Sequence, residues 1–203
     1  YLYCIYQIIY LSISYLLYHC YIYFVLWDGF TLKIMSQKIN NYNWSITSRR
    51  GIDTNIANLW EIISSPSNLD LYHPFCLKNK VINWSKEKSI DRIIYLNGKT
   101  FERKFFNWIP NIGYDLKINQ ISKSDSLVKW RIFSMEDKSE IEIKVYPYVF
   151  NQGSTILNIL PFTIFSKPLL TNYLDSVTLG LKYYAETGNV VSKNQFGKNI
   201  WFS

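Results

Sequence analysis

Hydrophobic and polar positions switch between two periods along this chain, and the switches mark out its elements. Trp44, Ile46 and Ser48 alternate with Ser45, Thr47 and Arg49, the period of two expected of a half-buried strand over Trp44 to Arg50. Gly51 and Asp53 break it, and Asp53 or Thr54 is placed to cap the next element. Ile56, Leu59, Trp60 and Ile63 then recur at the i, i+3, i+4, i+7 spacing of one helix face, and Ser64-Ser65-Pro66-Ser67 stops that helix. Asn68 to Tyr72 predicts a further helical turn, ended before Pro74 because the residue ahead of a proline avoids the helical region.

Period two then returns in six predicted strands: Leu77 to Trp84, Ile90 to Leu96, Lys99 to Ile109, Gly113 to Ile121, Leu127 to Met135 and Ser139 to Val149. Tyr114, Leu116 and Ile118 share one face of the fourth, Val128, Trp130 and Ile132 one face of the fifth. In the sixth, Ile141, Ile143 and Val145 alternate with Glu140, Glu142 and Lys144. Such alternation buries one sheet face and wets the other, and the short links predict an antiparallel meander. Asn97-Gly98 reads as a two-residue hairpin turn, since both residues accept positive φ. That register sets Arg103 opposite Arg92 on the face of Ile94 and Phe101, Glu102 opposite Ile93, and Asp91 opposite Lys104 as a surface pair. The other face carries Ile93, Tyr95, Glu102, Phe106 and Trp108, and the pattern leaves open which of the two is buried.

Asn151 to Ser166, interrupted by Gly153 and Pro161, reads only as a lead-in. From Pro168 onward Leu170, Tyr173, Leu174, Val177, Leu181 and Tyr184 form an apolar stripe about four turns long, with Gly188 as the C-terminal cap. Val190 to Ser203 is a tail whose Phe196, Trp201 and Phe202 predict docking on the domain. The order is therefore strand, two short helices, six strands, long helix. It predicts an α+β fold with a seven-stranded curved antiparallel sheet, and the helix must bury its stripe on the sheet's apolar face. A curved sheet and a single helix rarely mesh completely, so a cavity between them is expected.

Over residues 44–188 this order resembles the helix-grip fold of the SRPBCC superfamily, which includes START domains, birch-pollen-allergen-like proteins and polyketide cyclase/dehydrase-like proteins. Leu71-Tyr72-His73-Pro74-Phe75-Cys76, Val81-Ile82-Asn83-Trp84, Asp91 to Gly98, Gly113-Tyr114-Asp115-Leu116, Asn194-Gln195-Phe196-Gly197 and Trp201-Phe202-Ser203 are similar to a bacterial subgroup of it. The resemblance implies binding or transport of a hydrophobic small molecule, lipid, polyketide or isoprenoid-like, between sheet and last helix. A minority of members catalyse, so the alternative it implies is a cyclase/dehydratase-type enzyme working in the same cavity. The superfamily has no shared catalytic motif to carry over.

Residues 35–190 are thus read as the domain and 191–203 as its tail. Residues 1–34 form a hydrophobic extension in which positions 1–27 lack any Asp, Glu, Lys or Arg, and eight tyrosines fall within 1–23. A run of that length can span a bilayer, but tyrosine belongs at the interface, and Met35 reads naturally as a start. Upstream sequence read in frame and a membrane anchor both remain open; the location expected is cytoplasmic in the first case and membrane-anchored in the second.

Composition narrows the chemistry. The net charge is +7, and since residues 1–34 hold one Lys and one Asp, it belongs to the domain. The basic residues are scattered, with no stripe interleaved with aromatics, so nucleic acid is not the expected partner. Cys76 is the single cysteine after residue 34, which excludes a disulfide framework within the domain and fits a reducing compartment. His19 and His73 are the only histidines, too few for a structural zinc site, and no cofactor signature appears: no Gly-rich phosphate loop, GxSxG or HExxH.

Three residues are candidates for catalysis. His73 can serve as a base or orient a ligand, or simply fix a turn. Arg103 can bind a carboxylate or phosphate if its face is internal. Glu102 can act as an acid or base on a cavity wall, or be solvated. The aromatic share of 18% supplies the candidate lining: Trp84, Tyr95, Trp108, Trp130, Tyr173 and Tyr184, with Val177. An interaction role for the aromatic tail is the remaining alternative, and the oligomeric state is not legible.

Overall fold

A computed structural model describes residues 42–120, 123–136, 138–152 and 155–203. The hydrophobic extension at 1–34 therefore lies outside the described residues. The first strand, β1 (Ile46–Ile52), runs on through Gly51 and points Ile46, Ser48 and Ile52 inward. Two short helices come next. In α1 (Ile56–Ser64) the Asn55 side chain caps the amide of Asn58, and Leu59 and Ile63 are buried. The second, α2 (Leu69–Tyr72), is a single turn.

The remaining strands are β2 (Cys76–Asn83), β3 (Ile90–Tyr95), β4 (Thr100–Ile109), β5 (Gly113–Gln120), β6 (Ser126–Met135) and β7 (Lys138–Tyr146). With β1 they form one seven-stranded sheet in the order β1-β7-β6-β5-β4-β3-β2, each neighbour antiparallel. The meander is thus as the links between strands predict, and β1 closes on the last strand.

The β3–β4 hairpin corrects the predicted register. Its loop has three residues, Leu96 to Gly98, with Tyr95 N–H bonded to Lys99 O and Gly98 at φ 81°. This is the geometry of a tight turn followed by a left-handed residue that bulges the strand. One extra loop residue moves every partner by one: Asp91 pairs with Arg103, Arg92 with Glu102, and Ile90 with Lys104. Because side chains alternate, a slip of one exchanges the faces. Asp91, Ile93 and Tyr95 point inward with Phe101, Arg103 and Phe105. Further along β4, Asn107 adopts φ 49° within a register shift, which brings Trp108 back to the inner side.

The lead-in segment is helical. α3 (Thr155–Pro161) runs through a π-helical turn, Phe162–Ser166, into the long helix α4 (Lys167–Thr187). The widened turn lies between Pro161 and Pro168, neither of which can donate a backbone hydrogen bond. Phe162 anchors it against Trp44 and Phe150 at ring distances of 5.1 and 5.2 Å. Ile156, Leu157, Leu160, Ile164 and Phe165 stay exposed.

α4 buries Leu174, Val177 and Leu181 against the sheet. At Gly180 it comes so close to the end of α2 that an added Cβ would run into the Tyr72 carbonyl oxygen. The helix ends at Gly188, φ 71°, whose amide bonds Tyr184 O. The tail returns over the sheet: Val191 N–H bonds Leu71 O, Asn194 N–H bonds Pro74 O, and Phe202 packs on Tyr95 and Tyr173 at 4.3 and 4.6 Å.

Candidate functional site

A cavity of about 160 Å³ lies between the inner sheet face and α4, partly open to solvent. Its walls come from every inner strand. Ile93 and Tyr95, Phe101 and Arg103, Leu116, Val128 and Trp130, and Ile143 project from β3 to β7. Leu170, Tyr173, Leu174 and Val177 form the α4 side, and Phe202 of the tail closes one edge. The lining is apolar apart from His73, Tyr95, Arg103, Ser126 and Tyr173.

The aromatic and ionic candidates divide between this cavity and other places. Tyr95, Trp130, Tyr173, Val177, His73 and Arg103 stand in its wall. Trp84 and Trp108 belong instead to a packed aromatic group with Phe105, Tyr114 and Trp60, ring centroids 5.1 to 6.0 Å apart for Phe105–Tyr114, Trp108–Tyr114, Trp60–Trp108 and Trp84–Trp108. Tyr184 sits further along α4, beside Asn58 and Ile62 of α1. Glu102 is on the outer face, where it pairs with Arg92 at 3.1 Å and Lys104 at 3.3 Å. A carboxylate there does not reach the cavity, so Glu102 is removed from the catalytic candidates by the same one-residue shift that turns Arg103 inward.

Arg103 and Asp91 make a buried, two-pronged ion pair: Nε to Oδ1 at 2.7 Å and Nη2 to Oδ2 at 2.5 Å, with side-chain exposures of 4% and 0%. The predicted Asp91–Lys104 surface pair is therefore overturned. Burial by itself would lower the guanidinium pKa, but the charge and hydrogen bonds of Asp91 outweigh it and raise it further. Asn79 donates to the same carboxylate at 3.0 Å, and the guanidinium lies 5.0 Å from the Phe105 ring centroid. Losing either partner would strand a buried charge, whereas replacing both with apolar residues would leave none.

His73 is held at both ring nitrogens. Nδ1 accepts the Phe75 amide at 3.2 Å, so the neutral ring carries its proton on Nε2 and donates it to Tyr173 Oη at 2.9 Å. Tyr173 Oη is in turn bonded to Tyr95 Oη at 2.9 Å, and either hydroxyl can be the donor. Burial, reinforced by the positive charge of Arg103, holds the His73 pKa down to about 3. Burial also pushes the Tyr95 hydroxyl up to about 12. The relay is thus neutral at ordinary pH, with the ring N–H donated to Tyr173 and the two hydroxyls bonded to each other.

Phe202 and Asp91 are site residues that the strand pattern does not reveal. Phe202 could be found only as an aromatic in a tail, and Asp91 only by knowing the hairpin loop length. Among the described residues, no group of three His, Cys, Asp or Glu side chains is arranged to hold a metal ion, and no helix is long and apolar enough to cross a membrane.

This architecture has solved counterparts. DynU16, a protein from the dynemicin biosynthetic locus, aligns over 72% of this chain with a TM-score of 0.56 and 10% identity. The chain spans about half of DynU16, 48% of its length. Aha1 from Colwellia psychrerythraea, solved as a dimer in solution, aligns over 71% of this chain and 98% of its own, with a TM-score of 0.55 and 14% identity. CV1439 from Chromobacterium violaceum aligns over 70% and 96%, with a TM-score of 0.52 and 11% identity. The fold is the helix-grip. At these identities the likeness concerns the helix-grip fold alone. No family model and no curated protein matches the sequence.

Proposed function

We propose that this chain is a helix-grip protein of the SRPBCC superfamily that binds or carries a hydrophobic small molecule, lipid, polyketide or isoprenoid-like, between its sheet and α4. The observation that carries this reading is the apolar cavity itself, in the place where two curved surfaces fail to interlock. Its volume of about 160 Å³ is close to the ~150 Å³ that accommodates a benzene ring and below the ~300–1,000 Å³ of pockets for drug-sized ligands. A ring-sized portion of the ligand therefore fits as the walls stand. Tyr95, Trp130, Tyr173 and Val177 are the contacts proposed for it.

A cyclase or dehydratase acting on an apolar substrate is the second reading, favoured by the polar relay reaching the wall. Against it, His73 has both nitrogens engaged and Glu102 faces outward, so neither is a free base pointing at a substrate. That balance supports a carrier over a catalyst. Cys76, a buried thiol whose pKa burial raises to about 12, suits a reducing compartment such as the cytoplasm.

Mass spectrometry of the purified, then denatured protein tests the proposal, paired with thermal shifts against ring-sized apolar compounds. A stoichiometric apolar compound, or a midpoint that climbs with ligand concentration, is expected. A ligand-free protein whose midpoint moves with none of them would end the carrier reading.

A further inference from the structure

The cavity wall carries hydrogen-bond donors without a partner and, among the described residues, no carboxylate. Arg103 stands in its wall with Nε and Nη2 committed to Asp91, while no protein acceptor among the described residues meets Nη1. Whichever of Tyr95 and Tyr173 donates in their mutual bond, one hydroxyl hydrogen of the pair has no acceptor among the described residues, and with Tyr173 donating it is that of Tyr95. Both nitrogens of His73 are used, and Ser126 Oγ already accepts the Tyr148 amide. Asp91 also matters through its charge. It cancels that of Arg103, so the wall presents N–H groups without a net positive charge to balance a carboxylate or phosphate.

We propose that the cavity takes a neutral apolar molecule bearing an oxygen acceptor of the ketone or ester type, met by Arg103 Nη1 or by the Tyr95 hydroxyl. This rests on the carrier reading above and narrows it to a ligand class. An ammonium meets only hydroxyl oxygens in such a wall, with no carboxylate among the described residues to balance its charge. A hydrocarbon leaves the donors it covers unpaired and binds more weakly by that penalty.

Calorimetric titration of the full chain with ethylbenzene, acetophenone and benzoate separates the possibilities. Acetophenone should bind about ten-fold or more tighter than ethylbenzene, the difference one hydrogen bond to a charged donor makes, and tighter than benzoate. Its carbonyl stretch should move to lower frequency in the complex. The double variant Asp91→Leu/Arg103→Met removes the ion pair without stranding a charge, and Tyr95→Phe removes only a hydroxyl. At least one of them should reduce the preference for acetophenone to within about three-fold of ethylbenzene. If ethylbenzene and acetophenone bind equally, or benzoate binds tightest, the acceptor proposal is overturned while the carrier reading stands. If none of the three binds, both fall.

Discussion

Two aromatic groups share the interior of this domain and are built differently. At the α1 end, Trp60, Trp108, Tyr114, Phe105 and Trp84 interlock edge-to-face and stacked, Trp108 and Tyr114 lying 5.3 Å apart at 23°. At the α4 end, Tyr95, Tyr173 and Phe202 are also close, at 4.3 to 6.3 Å, but the two tyrosine hydroxyls are tied into a chain with His73 and the three rings border a cavity. The first group is held by shape, with one hydrogen bond from the Tyr114 hydroxyl to Ile63 O at 3.2 Å, and any change of volume is felt throughout. In the second, directional hydrogen bonds join Tyr95, Tyr173 and His73, and Phe202 packs on the two tyrosines. Similar residue types thus fill space in one place and preserve space in the other.

The largest effect that would test this contrast is expected at Tyr114. Its side chain is fully buried in the packed group, and Tyr114→Ala should cost about 3–5 kcal/mol by chemical denaturation, as aromatic truncations in cores do. Apolar ligands should still bind at the α4 end under conditions where the variant is folded. Ligand affinity that falls together with stability would mean the two groups are one unit.

The next effect concerns acid. The unfolded chain protonates His73 near its ordinary pKa of 6.5, the folded protein only near 3. Between these values the unfolded state holds the extra proton, so folding weakens as pH falls. The stability is fully present above pH 6.5. Each unit below that removes about 1.4 kcal/mol until the folded ring protonates. Denaturation midpoints measured from pH 7 to pH 4 should show this slope, and His73→Asn should remove that one-proton component. An unchanged slope in the variant would place the acid sensitivity elsewhere.

The smallest effect is expected in α3, between the lining residues Pro147 and Leu170 in sequence. Leu160 is 67% exposed, and Leu160→Ser should change stability by less than about 0.5 kcal/mol. A loss of several kcal/mol would mean that this residue is covered in solution.

The strand alternation and the α4 stripe made the fold legible, because period two and period 3.6 record which side of each element leaves water. Ile141, Ile143 and Val145 are inside β7, and Leu174, Val177 and Leu181 face the sheet, as their spacing requires. The lead-in before α4 was not legible, since two prolines and a glycine mask a helix that continues through a π turn. The site was legible in part. Tyr173, Trp130 and Val177 sit on apolar faces that must meet the cavity if there is one. Trp84 and Trp108 carry the same signal, and nothing in one sequence distinguishes a ring that packs from a ring that lines.

By itself the sequence determined the element order, the antiparallel meander and the helix that must lie across it, since each comes from local periodicity and turn length. Only the tertiary structure decided the face of β4. One residue more in the Leu96–Gly98 loop turns Arg103 inward onto Asp91 and Glu102 out to solvent. A strand shows its two faces equally in sequence, and the choice between them belongs to the partner strand and the loop that sets its register.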